Sequence, residues 1–171
     1  IRHCVNSLSI QFKPYDKLHE ATFGGGCFWN IEKVFKNIKG IYLTQVGYMG
    51  GKIINPTYAE VCEGESMHIE VVNIFFNNDS VSYEELLSIF WDSHDPTTVD
   101  KQGLDEGVQY RSVIFYHNEN QKTIAKEVKS KKQKRWKNPI VTEFRPALKF
   151  YRGEEYHQNY LEKNNIKGCR I

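Results

Sequence analysis

The chain has 171 residues, enough for one domain with a buried core, and its apolar (40 %) and charged (26 %) fractions are ordinary for a soluble globular protein. A formal charge of +2 gives no reason to expect nucleic acid or an anionic membrane as partner. No apolar run approaches the length that spans a bilayer.

Residues 1–18 read as an N-terminal extension and 19–171 as a single domain, with no repeat or linker between them. The opening stretch lacks the basic-then-apolar order of a signal peptide, and an upstream targeting segment stays open because the chain does not start with Met. "HEATFGG" predicts a short strand ending in a turn. From Cys27 to Ile38, Phe28, Ile31, Val34, Phe35 and Ile38 share one helical face, with Gly40 placed to end the helix. "IYLTQVGYMGG" predicts a strand, and "NPTYAEVCEG" a turn and one short helix. "MHIEVVNIFF" is apolar on both faces and predicts a central strand, with Glu70, Val72, Ile74 and Phe76 together on one side. Ser82 and Glu85 predict a capping box ahead of Leu86, Leu87, Phe90 and Trp91, and Asp95-Pro96 stops that helix. "GVQYRSVIFYH" predicts a strand, Asn118 with Gln121 caps a helix reaching about Trp136, and "IVTEFR" is a further strand. A short helix and an irregular tail follow Arg152. This order suggests an α/β two-layer sandwich, a ferredoxin-like mixed sheet with its helices mainly on one face.

The four cysteines (Cys4, Cys27, Cys62, Cys169) form no C-x-x-C pair, complete no zinc pattern with the six histidines and are too sparse for a disulfide scaffold. They read as reduced thiols of a cytoplasmic protein. Cys27 follows three glycines and precedes Phe28 and Trp29. Glycines permit a tight turn that leaves the thiol uncovered, and a helix N-terminus favours a thiolate. Cys27 therefore reads as a nucleophile beside an aromatic wall, or as a small buried hydrophobe at a strand–helix turn. The loop does not fit a dinucleotide fingerprint, because Trp29 stands where the last glycine is needed, and it is not a P-loop. No arginine ends it as a cysteine phosphatase would require. Glu70 reads as a carboxyl turned into an apolar layer, protonated near neutral pH, or as a strand-end glutamate paired with a lysine. Tyr58, Asp105 and Tyr110 read as hydrogen-bonding groups for a polar oxygen, or as half-buried packing residues. "KSKKQKRWK", Lys129 to Lys137, reads as a solvated helix face.

Seven blocks in order, "GGGCFWNIE", "GYMGG", "NPTYAEVCEG", "HIEVV", "LLSIFWDSHDPTT", "GVQYRSVIFYH" and "YHQNYL", resemble peptide methionine sulfoxide reductase A (MsrA). The resemblance implies thiol-dependent reduction of methionine-S-sulfoxide, free or in proteins. By position, Cys27 matches the catalytic cysteine, Phe28 and Trp29 the aromatics that hold the substrate methyl, and Glu70 the acid that protonates the sulfoxide oxygen. Tyr58 and Tyr110 match tyrosines that bind that oxygen, Asp105 a supporting carboxylate, and Cys169 a resolving cysteine. The resemblance further implies a Cys27 sulfenic acid, a Cys27–Cys169 disulfide recycled by thioredoxin or a dithiol, no metal or organic cofactor, and a monomer. Asn30 stands where the family has glycine, "GESMH" replaces a usual threonine- or serine-glycine-histidine turn, and Leu104 replaces asparagine. The chain stops two residues after Cys169, which favours a two-cysteine cycle, and Cys62 reads as structural. The competing reading is a cysteine hydrolase or transferase in which His68, His94 or His157 activates Cys27.

Overall fold

A six-stranded mixed sheet organises residues 18–168, the part of the chain described by the computed structural model. Cys4, Cys169 and most of the 1–18 extension lie outside the described residues. The strands are β1 (His19–Gly24), β2 (Ile41–Met49), β3 (Ile69–Phe76), β6 (Val113–Tyr116), β7 (Glu143–Pro146) and β8 (Tyr151–Arg152), ordered β7-β6-β1-β3-β2-β8. Two further short strands, β4 (Lys101–Gln102) and β5 (Asp105–Glu106), make a separate antiparallel ribbon. The four inner strands, β6-β1-β3-β2, are all antiparallel and have the strand order of a ferredoxin-like sandwich. Only the β6–β7 pair is parallel.

Strand β3 is central, as its two-sided apolar pattern predicts, and the period of two divides it between two cores. Val72, Ile74 and Phe76 face the main core with Phe23, Ile31, Phe35, Leu86, Leu87, Phe90, Trp91 and Val128. Apart from Phe23 of β1, the partners of β3 come from three helices, α1 (Phe28–Lys36), α3 (Tyr83–Asp92) and α4 (Glu119–Gln133), which share one face of the sheet. Each large buried apolar side chain contributes roughly 1.5–3 kcal/mol. Ile69 and Val71 face the other side, covered with Met49, Val113 and Phe115 by the irregular Ala147–Phe150 stretch.

Helix α3 starts with the predicted capping box, Ser82 accepting the Glu85 N–H while the Glu85 carboxylate accepts the Ser82 N–H. Asn118 caps α4 by accepting the Gln121 N–H at 2.9 Å. The basic stretch after Lys129 is partly tied to α3, with Lys131 on Glu84 and both Lys132 and Arg135 on Asp92.

Several elements differ from the sequence expectation. Helix α1 ends at Lys36, and Val34 lies on its outer side, 37 % exposed. Helix α4 stops at Gln133, short of Trp136. The first part of "GVQYRSVIFYH" is a 3-10 turn, Val108–Tyr110, and only Val113–Tyr116 pairs as strand. Strand β8 and the β4–β5 ribbon, each two residues per strand, are too short to produce an alternating pattern.

Candidate active site

The Gly24–Cys27 loop joins β1 to α1, and its glycines allow close approach. A Cβ on Gly24 would stand 2.9 Å from the Glu70 carbonyl oxygen, Ile69 Cγ2 and Val113 Cγ1. Gly26 has φ +95°, and a Cβ there would lie 2.6 Å from Gln102 Cγ. The loop is therefore pressed against β3, β6 and the ribbon. This corrects the expectation of an uncovered thiol: Cys27 is buried, 9 % exposed. Cys27 is the N-cap of α1, and its carbonyl accepts the Asn30 N–H at 3.1 Å. Its side chain thus sits at the positive end of the helix dipole, where a thiolate is favoured.

Glu70 lies at the start of β3, 1 % exposed, across from Tyr48 on β2. Its Oε2 accepts the Phe28 N–H at 3.0 Å, so its partner is the first N–H of α1 in place of a lysine. Burial pushes the Glu70 carboxyl up to about 8; the Phe28 N–H pulls it down and the Asp105 charge pushes it further up. At neutral pH it holds a proton. Asp105 itself, half-buried in the ribbon, is raised by burial.

Tyr110 ends the 3-10 turn, and its phenol is raised by burial and by the nearby Glu70, Asp105, Cys62 and Cys27. Tyr58 is the first residue of the short helix α2 (Tyr58–Cys62), capped by Thr57. Burial, a hydrogen bond with Cys62 and the charge of Glu70 all keep the Tyr58 phenol protonated. Tyr58, Tyr110 and Asp105 thus lie around the Glu70 carboxyl. Phe28 is buried and Trp29 half-buried, their ring centroids 6.0 Å apart. Trp29 stacks on Tyr160 at 3.9 Å and 13°.

Two residues at the site, Tyr48 and Glu154, escaped sequence reading. The Glu154 carboxylate accepts the Tyr48 hydroxyl at Oε2 and the Tyr58 N–H at Oε1, both at 2.8 Å. Burial alone would raise Glu154, but these hydrogen bonds outweigh it and hold the carboxyl below its ordinary value. Tyr48 is fully buried against Phe28, at 5.9 Å. Nothing in the spacing of Tyr48, Tyr58 and Glu154 announces their contact, since 106 and 96 residues separate the bonded pairs.

His68, His94 and His157 are not paired with Cys27. His68 accepts the Gly51 N–H at Nδ1 and donates to the Ile53 carbonyl from Nε2. His94 donates from Nδ1 to the Phe90 carbonyl and is bonded at Nε2 to the Ser112 hydroxyl. His157 is buried among Phe28, Trp29, Tyr58 and Tyr156, and neither of its ring nitrogens makes a hydrogen bond. None of these three histidines is hydrogen-bonded to Cys27. Among the described residues, no three His, Cys, Asp or Glu side chains gather as a metal site. The departures Met67 and Leu104 are exposed, 40 % and 78 %, at the rim of the fold.

The family model for peptide methionine sulfoxide reductase matches residues 19–171. Peptide methionine sulfoxide reductase MsrA of Methanothermobacter thermautotrophicus is 50 % identical over 157 residues, covering 91 % of this chain and 93 % of its own. The crystal structure of reduced Mxr1 from Saccharomyces cerevisiae superposes with a TM-score of 0.86 at 34 % identity, over 95 % of this chain and 93 % of that one. The structure of Mxr1 in complex with Trx2 aligns with a TM-score of 0.62 at 25 % identity, over 89 % and 90 %. With the buried thiol, the protonated carboxyl and the paired phenols arranged on the same fold, this chain belongs to the peptide methionine sulfoxide reductase family, and its activity is the thiol-dependent reduction of methionine sulfoxide to methionine.

Proposed function

We propose that Cys27 reduces methionine-S-sulfoxide, free or in oxidised proteins, with Glu70 as the acid and Cys169 as the resolving thiol. The observation that carries this reading is the Glu70–Phe28 hydrogen bond, which sets a protonated carboxyl one residue from the Cys27 N-cap. A sulfoxide sulfur becomes electrophilic when its oxygen is protonated, so acid and nucleophile must act together. Cys27 sulfur attacks the substrate sulfur while Glu70 gives its proton to the oxygen. Tyr58 and Tyr110 donate hydrogen bonds to that oxygen, and Asp105 keeps Glu70 protonated. Phe28 and Trp29 hold the methyl group, where sulfur–aromatic contact is favourable.

The oxygen passes to Cys27, leaving a sulfenic acid and free methionine: the sulfoxide is reduced by two electrons and the thiol oxidised by two. The Cys169 thiol then displaces water from the sulfenic acid, giving a Cys27–Cys169 disulfide. A thioredoxin dithiol reduces that disulfide, a step supported by the relative solved with Trx2. No metal or organic cofactor and no nucleic acid enters this cycle. Residues 19–171 act as one catalytic domain behind the 1–18 extension, a division supported by the family match beginning at residue 19. The enzyme works as a cytoplasmic monomer.

The test is mass spectrometry after one equivalent of methionine-S-sulfoxide. A Cys27–Cys169 bridge is expected, and Cys27→Ser should release no methionine. Methionine release by Cys27→Ser would overturn the assignment.

A further inference from the structure

The 3-10 turn that ends at Tyr110 has both of its ends tied to a single residue, Asp100. The turn runs from its N-cap Gly107 through Val108–Tyr110, and Arg111 follows directly. At its start, the Gly107 N–H donates to the Asp100 carbonyl at 2.8 Å. At its end, Arg111 donates from Nε to Asp100 Oδ1 at 2.5 Å. The chain from Gly107 to Arg111 and the two bonds to Asp100 therefore make a closed ring that contains Tyr110. Asp100 itself has a left-handed backbone, φ +49°, which turns the chain into the ribbon that carries Asp105.

The same guanidinium fastens the ring to the sheet. Its Nη1 pairs with Glu143 Oε1 on β7 at 3.1 Å, and Glu143 Oε2 in turn accepts from Arg145 at 2.6 Å. The Glu143 N–H donates to the Ser112 carbonyl at 3.0 Å, so the backbone beside Arg111 is held at the same place. An arginine suits this position because its planar fork reaches acceptors on two elements at once, which a lysine ammonium does not. The Arg111 side chain is only 18 % exposed, and its charge holds the Asp100 carboxyl below the ordinary aspartate range. Exposed ion pairs contribute little, whereas a mostly buried, charge-assisted pair fixes geometry. Next to it in the chain stands Tyr110, whose phenol lies within electrostatic reach of Glu70 and Asp105.

We infer that Arg111 is a positioning residue for the reduction: by closing the ring on Asp100 and fastening it to Glu143, it aims the Tyr110 phenol at the place of the sulfoxide oxygen. This rests on the reading of Tyr110 as a donor to that oxygen. The turn's own bonds, from the Tyr110 N–H to Gly107 (3.0 Å) and from the Arg111 N–H to Val108 (3.3 Å), are short-range and do not set its tilt against the sheet. The Arg111 fork sets that tilt. A donor stabilises charge on an oxygen only when it is held at about 3 Å from the place the oxygen takes. A misplacement of about 1 Å is enough to slow a reaction by roughly a hundredfold, so opening one side of the ring has a kinetic cost.

The experiment uses the reduced full chain with saturating methionine-S-sulfoxide and no reductant, and follows the first equivalent of methionine released. Melting curves set a temperature at which each variant is folded. Asp100→Ala opens the ring but leaves the Arg111–Glu143 pair, and it should release methionine about tenfold more slowly. Asp100→Asn keeps an acceptor for the Arg111 Nε–H and should recover most of that loss. Arg111→Met should be at least as slow as Asp100→Ala, which carries the test alone where Arg111→Met does not fold. Tyr110→Phe should itself slow release by about tenfold or more. The Tyr110→Phe/Asp100→Ala pair should then stay within about twofold of Tyr110→Phe, because a hydroxyl that is absent cannot be misaimed. Losses that multiply in the double variant would overturn the inference, as would a wild-type rate in Asp100→Ala. A wild-type rate in Tyr110→Phe marks the other failure: the reading of Tyr110 as a donor is then wrong, and the inference falls with it.

Discussion

The Glu70 carboxyl and the Phe28 backbone are joined by a 3.0 Å hydrogen bond that ties the central strand to the first turn of α1. The bond fixes the Glu70 carboxyl, the proposed acid, close to the proposed nucleophile, since Phe28 follows Cys27 directly. It also uses one carboxyl oxygen as acceptor, leaving the other for the proton. Burial, the Phe28 N–H and Asp105 together leave this group protonated up to about 8.

If Glu70 is the acid as proposed, activity should fall as pH rises through about 8, where its carboxyl loses its proton. Glu70→Gln should lower kcat by roughly 10²- to 10⁴-fold with a smaller change in KM, and remove that limb of the profile. A pH–rate profile of both proteins checks this. Retention of the alkaline limb in the variant would assign it to another group.

Stability should carry two signatures of buried groups. Glu70 is raised in the fold, so its contribution is fully present below about 4.5 and lost as pH climbs to about 8. Thermal melts of Glu70→Gln should thus gain on wild type across that window. His94 is lowered by burial to about 4 from 6.5, so its contribution is present above about 6.5 and lost as pH falls to about 4. An NMR titration should find the His94 imidazole neutral down to about pH 4; a midpoint near 6.5 would contradict its burial.

Glu154 sits in the tail segment yet holds the start of α2 and the Tyr48 hydroxyl. Glu154→Ala should slow methionine release by about tenfold, the scale of one hydrogen bond to a charged group, by loosening Tyr58. Glu154→Gln keeps an acceptor for the Tyr58 N–H and should recover most of that loss. Single-turnover rates, with melting curves as control, decide it. Equal losses in the two variants would show that charge, and not the hydrogen bond, matters.

Gly26→Ala should destabilise the protein by about 2–4 kcal/mol, combining a left-handed backbone with overlap on Gln102. Because Cys27 is the next residue, activity should fall beyond what unfolding explains. Chemical denaturation beside single-turnover assays separates the two effects, and an unperturbed melting curve would show that Gln102 yields freely.

The order of elements was legible because apolar periodicity is a local property. Strand β3 and helix α3, with Leu86, Leu87, Phe90 and Trp91 all fully buried, follow their patterns closely. The capping residues Ser82 and Asn118 were legible for the same reason, since a cap acts within one turn. The two-residue strands and the 3-10 turn carried no period to read, and Val34 lies outside the face that its spacing assigned.

The chain alone also determined the residue types that the proposed chemistry uses: a thiol after glycines, an acid on an inward strand face, and phenols in Tyr58 and Tyr110. Only the tertiary structure decided their states. The glycines press the loop against β3 and Gln102, so Cys27 is buried and not open to solvent. Glu70 is protonated because the sheet excludes water around it, a cost that no neighbour in sequence can set. Glu154 meets Tyr48 and Tyr58 across about a hundred residues, and α1 meets the Asn159–Gly168 tail across more. Such contacts depend on which faces the packed layers bring together, and sequence spacing holds no trace of them.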